Sequence, residues 1–424
     1  MTVSDPRGFL SDLFDCAVKA ADPHGALASH LPERPKGRTI VVGAGKAASA
    51  MAGALESLWT GPLEGIVIDR HGKISPTRHI KVLQASHPVP DMAGLEGSKA
   101  VLDAVRGLSA DDLVIALISG GGSSLLPLPG GELEFEDEIA VNRVLLNSGA
   151  PIGAMNVVRK HVSGIKGGRL AKAAAPARVV SLIVSDVAGD EAARVASGPT
   201  IASRSTPGDA LEIIEHYKMD MPPRVLEHLR SPAAEAPAPD DPDFARNSFS
   251  VIASARLALE AAAQRARELG VPAVILSDSI EGEARDIALM HGAMSREIRR
   301  FGRPFAKPVV MLSGGETTVS MAGGPYGRGG RNTEFLLAFA RTIQGADGID
   351  ALAADTDGID GSEDNAGAFA DGGSFARMRA AGLNPEKMLA GHDAWSGFAA
   401  IGDLFMTGPT GTNVNDFRAI LVQS

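Results

Sequence analysis

The chain has 424 residues, 44% of them hydrophobic and only 4% aromatic, with 49 glycines, which is ample for a buried core in two or three domains with many tight loops. A formal net charge of −10 excludes sequence-independent nucleic-acid binding, which needs a basic field. No apolar run is long enough to span a bilayer, and the single cysteine, Cys16, excludes an internal disulfide framework and points to the cytoplasm.

Short β-branched runs alternate with longer helical patterns, the signature of an α/β chain with mainly parallel strands. The first predicted strand, 39–43, runs into Gly43-Ala44-Gly45-Lys46-Ala47-Ala48. This matches the relaxed dinucleotide fingerprint G-x-G-x-x-A, and Asp69, at the end of the next predicted strand (65–69), stands where a ribose-binding acid belongs. Three readings stay open on these residues: a dinucleotide turn, an anion site worked by Lys46, or a glycine-tightened turn with a solvated lysine. The spacing of a Walker A loop is absent. His87, in SHPVPD, reads as a loop residue rather than a base.

The strand predicted over 113–119 ends in Ser119-Gly120-Gly121-Gly122-Ser123-Ser124. Glycines in succession let backbone N–H groups converge on an anion, and the serines add donors. Residues 155–171 then present Arg159, Lys160, Lys166 and Arg169 with no acid interleaved. An ordinary solvated helix would carry such acids for i,i+4 pairing, so a small anionic substrate suits these cations, with a plain cationic surface as the alternative. A fourth strand, 179–185, leads to Asp186 and Asp190. The stretch 231–244, rich in Pro, Ala and acid and without periodicity, reads as an exposed linker or hinge, dividing the chain into domains 1–235 and 245–424.

Beyond it, strands are predicted at 251–253, 273–277, 309–313 and 351–354. Ser313-Gly314-Gly315-Glu316-Thr317-Thr318 echoes the earlier glycine loop but inserts an acid. Glu316 would repel a phosphate directly, so it suits a metal, a ribose or a basic side chain. Arg331 lies between a glycine-rich loop and a helix start with Asn332 as candidate N-cap, a position from which its fork can hold an anion bidentately. Asp355, Asp357 and Asp360 lie in DTDGIDG, where no Glu closes a calcium loop. One or two such carboxylates beside phosphate oxygens are what Mg²⁺ takes, and Asx-turn chemistry is the plainer alternative. Neither a G-x-S-x-G elbow nor Cys/His metal spacing occurs.

Taken in order, GAGKAASAM, SHPVPD, LISGGGSSLLPLP, MNVVRKHVSGIKGGRLA, SDVAGDEAARVASGPT, LSGGETTV, GRGGRNTEF, DTDGIDG and TGPTGTNVND resemble class II glycerate kinases, the glycerate 2-kinase family ending in a MOFRL domain. One departure is Ala255, where Asn is expected. The resemblance implies two α/β domains, the first Rossmann-like with a mainly parallel sheet, the second a mixed-sheet MOFRL domain, and an active-site cleft between them. It implies transfer of a phosphoryl group from ATP to the 2-hydroxyl of D-glycerate, with Mg²⁺ or Mn²⁺. Lys46 and Arg331 correspond to residues that the family places in the cleft; which Asp, if any, accepts the hydroxyl proton stays open, with Asp186 as the candidate. Gly43, Gly45, Ser119, Gly120, Gly121, Gly122, Ser123, Ser124, Gly314, Gly315 and Glu316 fall to the nucleotide, and Arg159, Lys160 and Lys166 to the glycerate carboxylate. Asp186, Asp190, Asp355 and Asp357 are the metal candidates. The expected partners are small molecules only, with no nucleic acid and no membrane, and a monomer or homodimer. The rival reading is an NAD(P)H-dependent hydroxypyruvate reductase, and a third is a non-catalytic nucleotide or sugar-phosphate binding protein.

Overall fold

A computed structural model describes residues 3–321 and 326–424. The chain divides into two compact units, Pro23–Ile252 and Met1–Asp22 together with Ala253–Ser424. No helix of the described residues is long and apolar enough to cross a membrane.

In the first unit, the strands β1 (Thr39–Ala44), β2 (Glu64–Arg70), β3 (Ile80–Ala85), β4 (Leu113–Ser119), β5 (Arg178–Ser185) and β6 (Ser248–Ser254) form one sheet in the order β3-β2-β1-β4-β5-β6. The pairings from β3 through β5 are all parallel. Every residue of β1 and β4 is buried, which explains why both read as unbroken apolar runs: helices cover both faces. Strand order reverses between β1 and β4, and ligands of open α/β sheets gather at the carboxyl ends of the strands flanking such a reversal. Those ends carry Gly45-Lys46 and the Ser119–Ser124 glycine loop.

The second unit holds a mixed sheet. Its strands β7 (Ala273–Glu283), β8 (Val309–Thr318), β9 (Ile349–Asp355), β10 (Gly367–Asp371), β11 (Leu404–Phe405) and β12 (Asp416–Val422) run in the order β11-β10-β9-β12-β8-β7. Only β7 and β8 pair in parallel; β12 lies antiparallel between β8 and β9. The helix Arg331–Thr342 is buried without a break from Asn332 to Ala340, the mark of a central helix that packs on every side.

The units differ from the expected division in two respects. The helix Pro6–Ala20 joins the second unit, because Phe14 packs edge-on against Phe405 and Phe417 with ring centroids 5.1 and 5.7 Å away. Arg265 also pairs with Asp12 at 2.7 Å. The stretch 231–244 is no free hinge either. Arg169 donates to the carbonyls of Ala234 and Glu235 at 2.9 Å, and Lys172 holds Asp241 at 2.8 Å, which ties that stretch to the first unit. The chain passes between the units at Asp22–Pro23 and again at Ile252–Ala253, inside β6.

Candidate active site

At the reversal point, backbone and side chain stitch two loops together. The Lys46 amide donates to the Gly120 carbonyl at 2.9 Å, and the Ala47 amide donates to Ser119 Oγ at 3.1 Å. Gly45 has φ +141°, and a Cβ there would lie 2.0 Å from Ser119 Oγ, so only glycine permits the approach. Gly121 (φ +77°) turns the chain into the short helix Gly122–Leu125. A Cβ on Gly121 would sit 3.0 Å from Lys46 Cγ, so the half-buried lysine lies directly against the glycine loop. Asp186 is placed there too: a Cβ on Gly120 would overlap its carboxylate, at 1.9 Å from Oδ2. Two of the expected nucleotide residues are structural instead. Gly43 lies inside β1, packed so closely on β4 that a Cβ would meet the Leu117 carbonyl at 2.1 Å, and the buried Ser119 is the stitch.

The partners of Asp69 bear on two readings of this turn. Its Oδ2 accepts from the Ser49 amide at 2.9 Å and its Oδ1 from the Arg70 amide at 2.7 Å, and the residue is buried. The carboxylate thus serves the N-terminal turn of the helix Ala48–Leu58 rather than facing a ribose. Burial raises its pKa against the pull of those hydrogen bonds.

Behind the glycine loop runs a polar chain. Ser123 Oγ meets Ser197 Oγ at 2.9 Å, Ser197 Oγ donates to Asn156 Oδ1 at 3.2 Å, and Arg159 donates to Asn156 Oδ1 at 3.2 Å and Asn142 Oδ1 at 3.0 Å. Asp190, Ala196 and Ser197 all have positive φ (53°, 52° and 59°), backbone strain of the kind that collects at functional sites.

The expected carboxylate-binding cations separate. Among the described residues the hydrogen bonds of the Arg159 side chain go to neutral amide oxygens, and burial lowers its pKa, partly opposed by Glu138. Lys160 is 4% exposed, and no carboxylate forms an ion pair with it among the described residues. Burial lowers its pKa, partly opposed by Glu191. A desolvated cation in that state favours an incoming anion. Lys166 is a correction: at 1% exposure its Nζ donates to the equally buried Glu138 Oε1 at 2.8 Å, so it belongs to a structural ion pair. Arg169 is likewise structural, clamped on four carbonyls.

In the second unit Arg331 opens its helix inside a ring of acids. Its Nε donates to Asp416 Oδ1 and its Nη2 to Asp355 Oδ2, both at 2.6 Å, and its Nη1 to Glu316 Oε1 at 2.8 Å. Burial works against its charge, but the three carboxylates outweigh it and raise the pKa. Asp355 is pushed well up by burial and by Asp357, with Arg331 opposing. Of the partners only Glu316 is exposed, so it is the one an incoming anion would displace. Asn332 does not cap by its side chain; Asp360 does that work, accepting from the amides of Asn332 and Thr333 at 2.9 and 2.8 Å. Gly314 and Gly315 form no anion nest. Both lie within β8, and a Cβ on Gly315 would strike the Ile280 backbone at 2.2 Å, so this glycine admits the irregular strand β7.

Among the described residues, no group of three or more His, Cys, Asp or Glu converges as a metal-ligand set. The metal candidates fall into both units, Asp186 and Asp190 in one, Asp355 and Asp357 in the other. At Asp355 the Arg331 guanidinium stands where a cation would go.

Comparison with known proteins adds the family. The family described as "Domain of unknown function (DUF4147)" matches residues 9–230, and the MOFRL family matches residues 309–416. A glycerate 2-kinase of Pyrococcus horikoshii is 38% identical over 96% of this chain and 95% of its own. The crystal structure of a glycerate kinase from Thermotoga maritima superposes with a TM-score of 0.87 at 33% identity, covering 98% of this chain and 99% of that one. The chain belongs to the glycerate 2-kinase family. An Agrobacterium vitis protein, 50% identical over 98% of this chain and 94% of its own, carries a provisional hydroxypyruvate reductase name.

Several residues of this glycerate kinase fold escaped the sequence reading. Asn156 and Ser197 were hidden among small polar residues. Asp416 ends the TGPTGTNVND motif but no strand is predicted around it, and His87, read as a loop residue, lies against Gly121.

Proposed function

We propose that the protein transfers the γ-phosphoryl group of ATP to the 2-hydroxyl of D-glycerate, giving 2-phospho-D-glycerate and ADP. The observation that carries this reading is the reversal point of the first sheet, where Lys46 and the Gly120–Gly122 backbone converge while Asp69 is committed to the start of the helix Ala48–Leu58. That arrangement suits a phosphoryl group and leaves the ribose role of a dinucleotide turn unfilled.

In this reading Lys46 and the backbone donors of the glycine loop hold phosphoryl oxygens, and Lys160 with Arg159 takes the glycerate carboxylate. Arg331 neutralises charge on the moving group by exchanging Glu316 for a phosphoryl oxygen. Catalysis is then mostly positioning and electrostatics. Mg²⁺, when bound, neutralises phosphate charge, and it needs only one or two carboxylates beside phosphate oxygens and water. Asp186, placed over Gly120, fits that need, with Asp190 on the same loop; Asp355 and Asp357 fit it less, since Arg331 already supplies the cation. Asp186 also stands as the proton acceptor, a role of which a loose transition state asks little.

The test is purified protein with D-glycerate, ATP and Mg²⁺, with separate detection of ADP and of each phosphoglycerate isomer. ADP formation should depend on glycerate, stop with EDTA and return with Mg²⁺ or Mn²⁺. NADH oxidation with hydroxypyruvate in the absence of ATP would instead support the reductase reading.

A further inference from the structure

The loop between β3 and the helix Met92–Ala104 carries one histidine that the sequence reading left unused. His87 is half-buried, and its ring makes no hydrogen bond among the described residues. Buried polar groups are normally paired, so an imidazole left in this state against a glycine turn has room for an outside partner. Its position is specific. The Cβ that Gly121 lacks would lie 3.1 Å from both Cδ2 and Nε2 of His87 and 3.0 Å from Lys46 Cγ, so the imidazole and the lysine stem border the same point of the turn. Any side chain at Gly121 would fill that point; glycine keeps it open.

The charges around the ring explain its state. Burial, then Lys46, then Arg70 push its pKa down to about 4. Asp91, at the end of the same loop, meets His71 Nε2 of the β2–β3 connection at 3.5 Å. His87 is therefore neutral at pH 7 and can offer a hydrogen bond without adding to the local positive charge.

We propose that His87 is a contact residue of the active site, its Nε2 hydrogen-bonding the same anionic group that Lys46 attracts over Gly121. This rests on the phosphoryl-transfer reading for its context, and the ligand chemistry is an anionic oxygen, supplied either by an ATP phosphate or by the glycerate carboxylate. Lys46 supplies the point charge and His87 the direction.

The experiment follows the histidine ring resonances of the full-length protein by NMR, with the His87 signal identified by its loss in His87→Gln. ATP and D-glycerate are added in separate arms. A shift of the His87 signal in either arm supports the proposal and names the source of the oxygen; no shift in either arm at saturation overturns it. Steady-state kinetics supply the second readout. His87→Ala should raise KM for the ligand that moves the resonance about tenfold or more, as expected for loss of a hydrogen bond to a charged group. His87→Gln, which can return an amide near the Nε2 position, should stay within about threefold of the parent. Equal losses in both variants, or a fall in thermal stability of His87→Ala that accounts for the loss, would assign the ring a packing role and overturn the proposal. If the resonance moves but no phosphoglycerate forms, phosphoryl transfer fails as the function while the contact stands.

Discussion

Lys160 and Lys166 lie six positions apart in one cationic stretch, yet the structure predicts opposite phenotypes for their removal. Lys166 and Glu138 are both almost wholly buried, joined at 2.8 Å, and Glu138 Oε2 has no hydrogen-bond partner among the described residues. Lys166→Met leaves that carboxylate buried without its hydrogen-bonded partner, with only the Arg159 charge nearby, which costs up to about 3–5 kcal/mol. For a unit the size of Pro23–Ile252, each kcal/mol shifts the melting temperature by roughly 2–4 °C, so a fall on the order of 10 °C is expected. Removing both charges, in Lys166→Met with Glu138→Leu, should restore most of the loss, because apolar replacement of a buried pair is often neutral. Lys160 is the reverse case. Its charge has burial working against it, with Glu191 opposing, and no carboxylate forms an ion pair with it among the described residues, so Lys160→Met should leave the melting temperature unchanged or slightly raised. If Lys160 holds the glycerate carboxylate, its loss removes a charge-assisted bond worth about 1.5–3 kcal/mol and raises KM for D-glycerate roughly tenfold to a hundredfold. Thermal melts and glycerate-dependent ADP release on the three variants read both effects. A Lys166→Met protein with a normal melt and a raised glycerate KM would refute the assignment of the two lysines.

Arg331→Lys replaces a fork engaged with three carboxylates by a point charge able to meet fewer of them, and kcat should fall by about 10²-fold or more while KM for glycerate moves little. A kcat within threefold of the parent would remove Arg331 from the chemistry. Gly121→Ala combines a φ of +77° with a Cβ pressed on Lys46 and His87; activity should drop well beyond any loss of melting temperature, since the backbone strain is only about 1–2 kcal/mol but the methyl fills the anion's place. His291, fully buried, must carry its proton on Nδ1 to donate to the Ile287 carbonyl at 2.8 Å, which leaves Nε2 to accept from Ser313 Oγ at 3.1 Å. Burial pushes its pKa from 6.5 down to about 4, so its contribution is complete above pH 6.5 and is lost as pH falls toward 4, up to about 3 kcal/mol. Denaturant melts between pH 7 and 4 should show that slope, and His291→Gln should flatten it.

How far the fold could be read from the sequence followed where each signal was stored. β1 and β4 are buried on both faces and announce themselves as apolar runs. β12 does not, although it is central to the second sheet, because Asp416 and Arg418 interrupt it. Arg418 is wholly buried over the Phe335 ring and donates to Thr317 Oγ1 at 3.0 Å, so its charge is legible only once the partner strand is in place. The two glycine stretches show the same limit. Ser119-Gly120-Gly121 leaves its strand and Ser313-Gly314-Gly315 stays in one, and the difference lies in the irregular register of β7, more than thirty residues away. Lys166 is illegible for a like reason, since it lies in a turn and its partner Glu138 on the helix Phe135–Asn147. The place of the N-terminal helix is set by Phe405 and Phe417 at the other end of the chain, contacts that no local pattern carries.

The turn after β1 shows how a sequence fingerprint and its chemistry can part. Its glycines do what a dinucleotide turn asks of them, allowing β1, β4 and the following helix to approach closely, and Asp69 stands at the expected place. A dinucleotide site, however, needs that carboxylate free for ribose hydroxyls. Here both oxygens are fixed on backbone amides, one of them at the start of the very helix whose N-terminus would face the pyrophosphate. A carboxylate in that position also offsets part of the helix's positive end, which weakens the helix as an anion site by itself. The positive charge that an anion would need is supplied instead by Lys46, held against Gly121 at the reversal of the sheet. Letters shared with dehydrogenases therefore describe the packing of this turn, whereas the partners of Asp69 and Lys46 describe its chemistry, and it is the partners that favour a phosphoryl group over a nicotinamide cofactor.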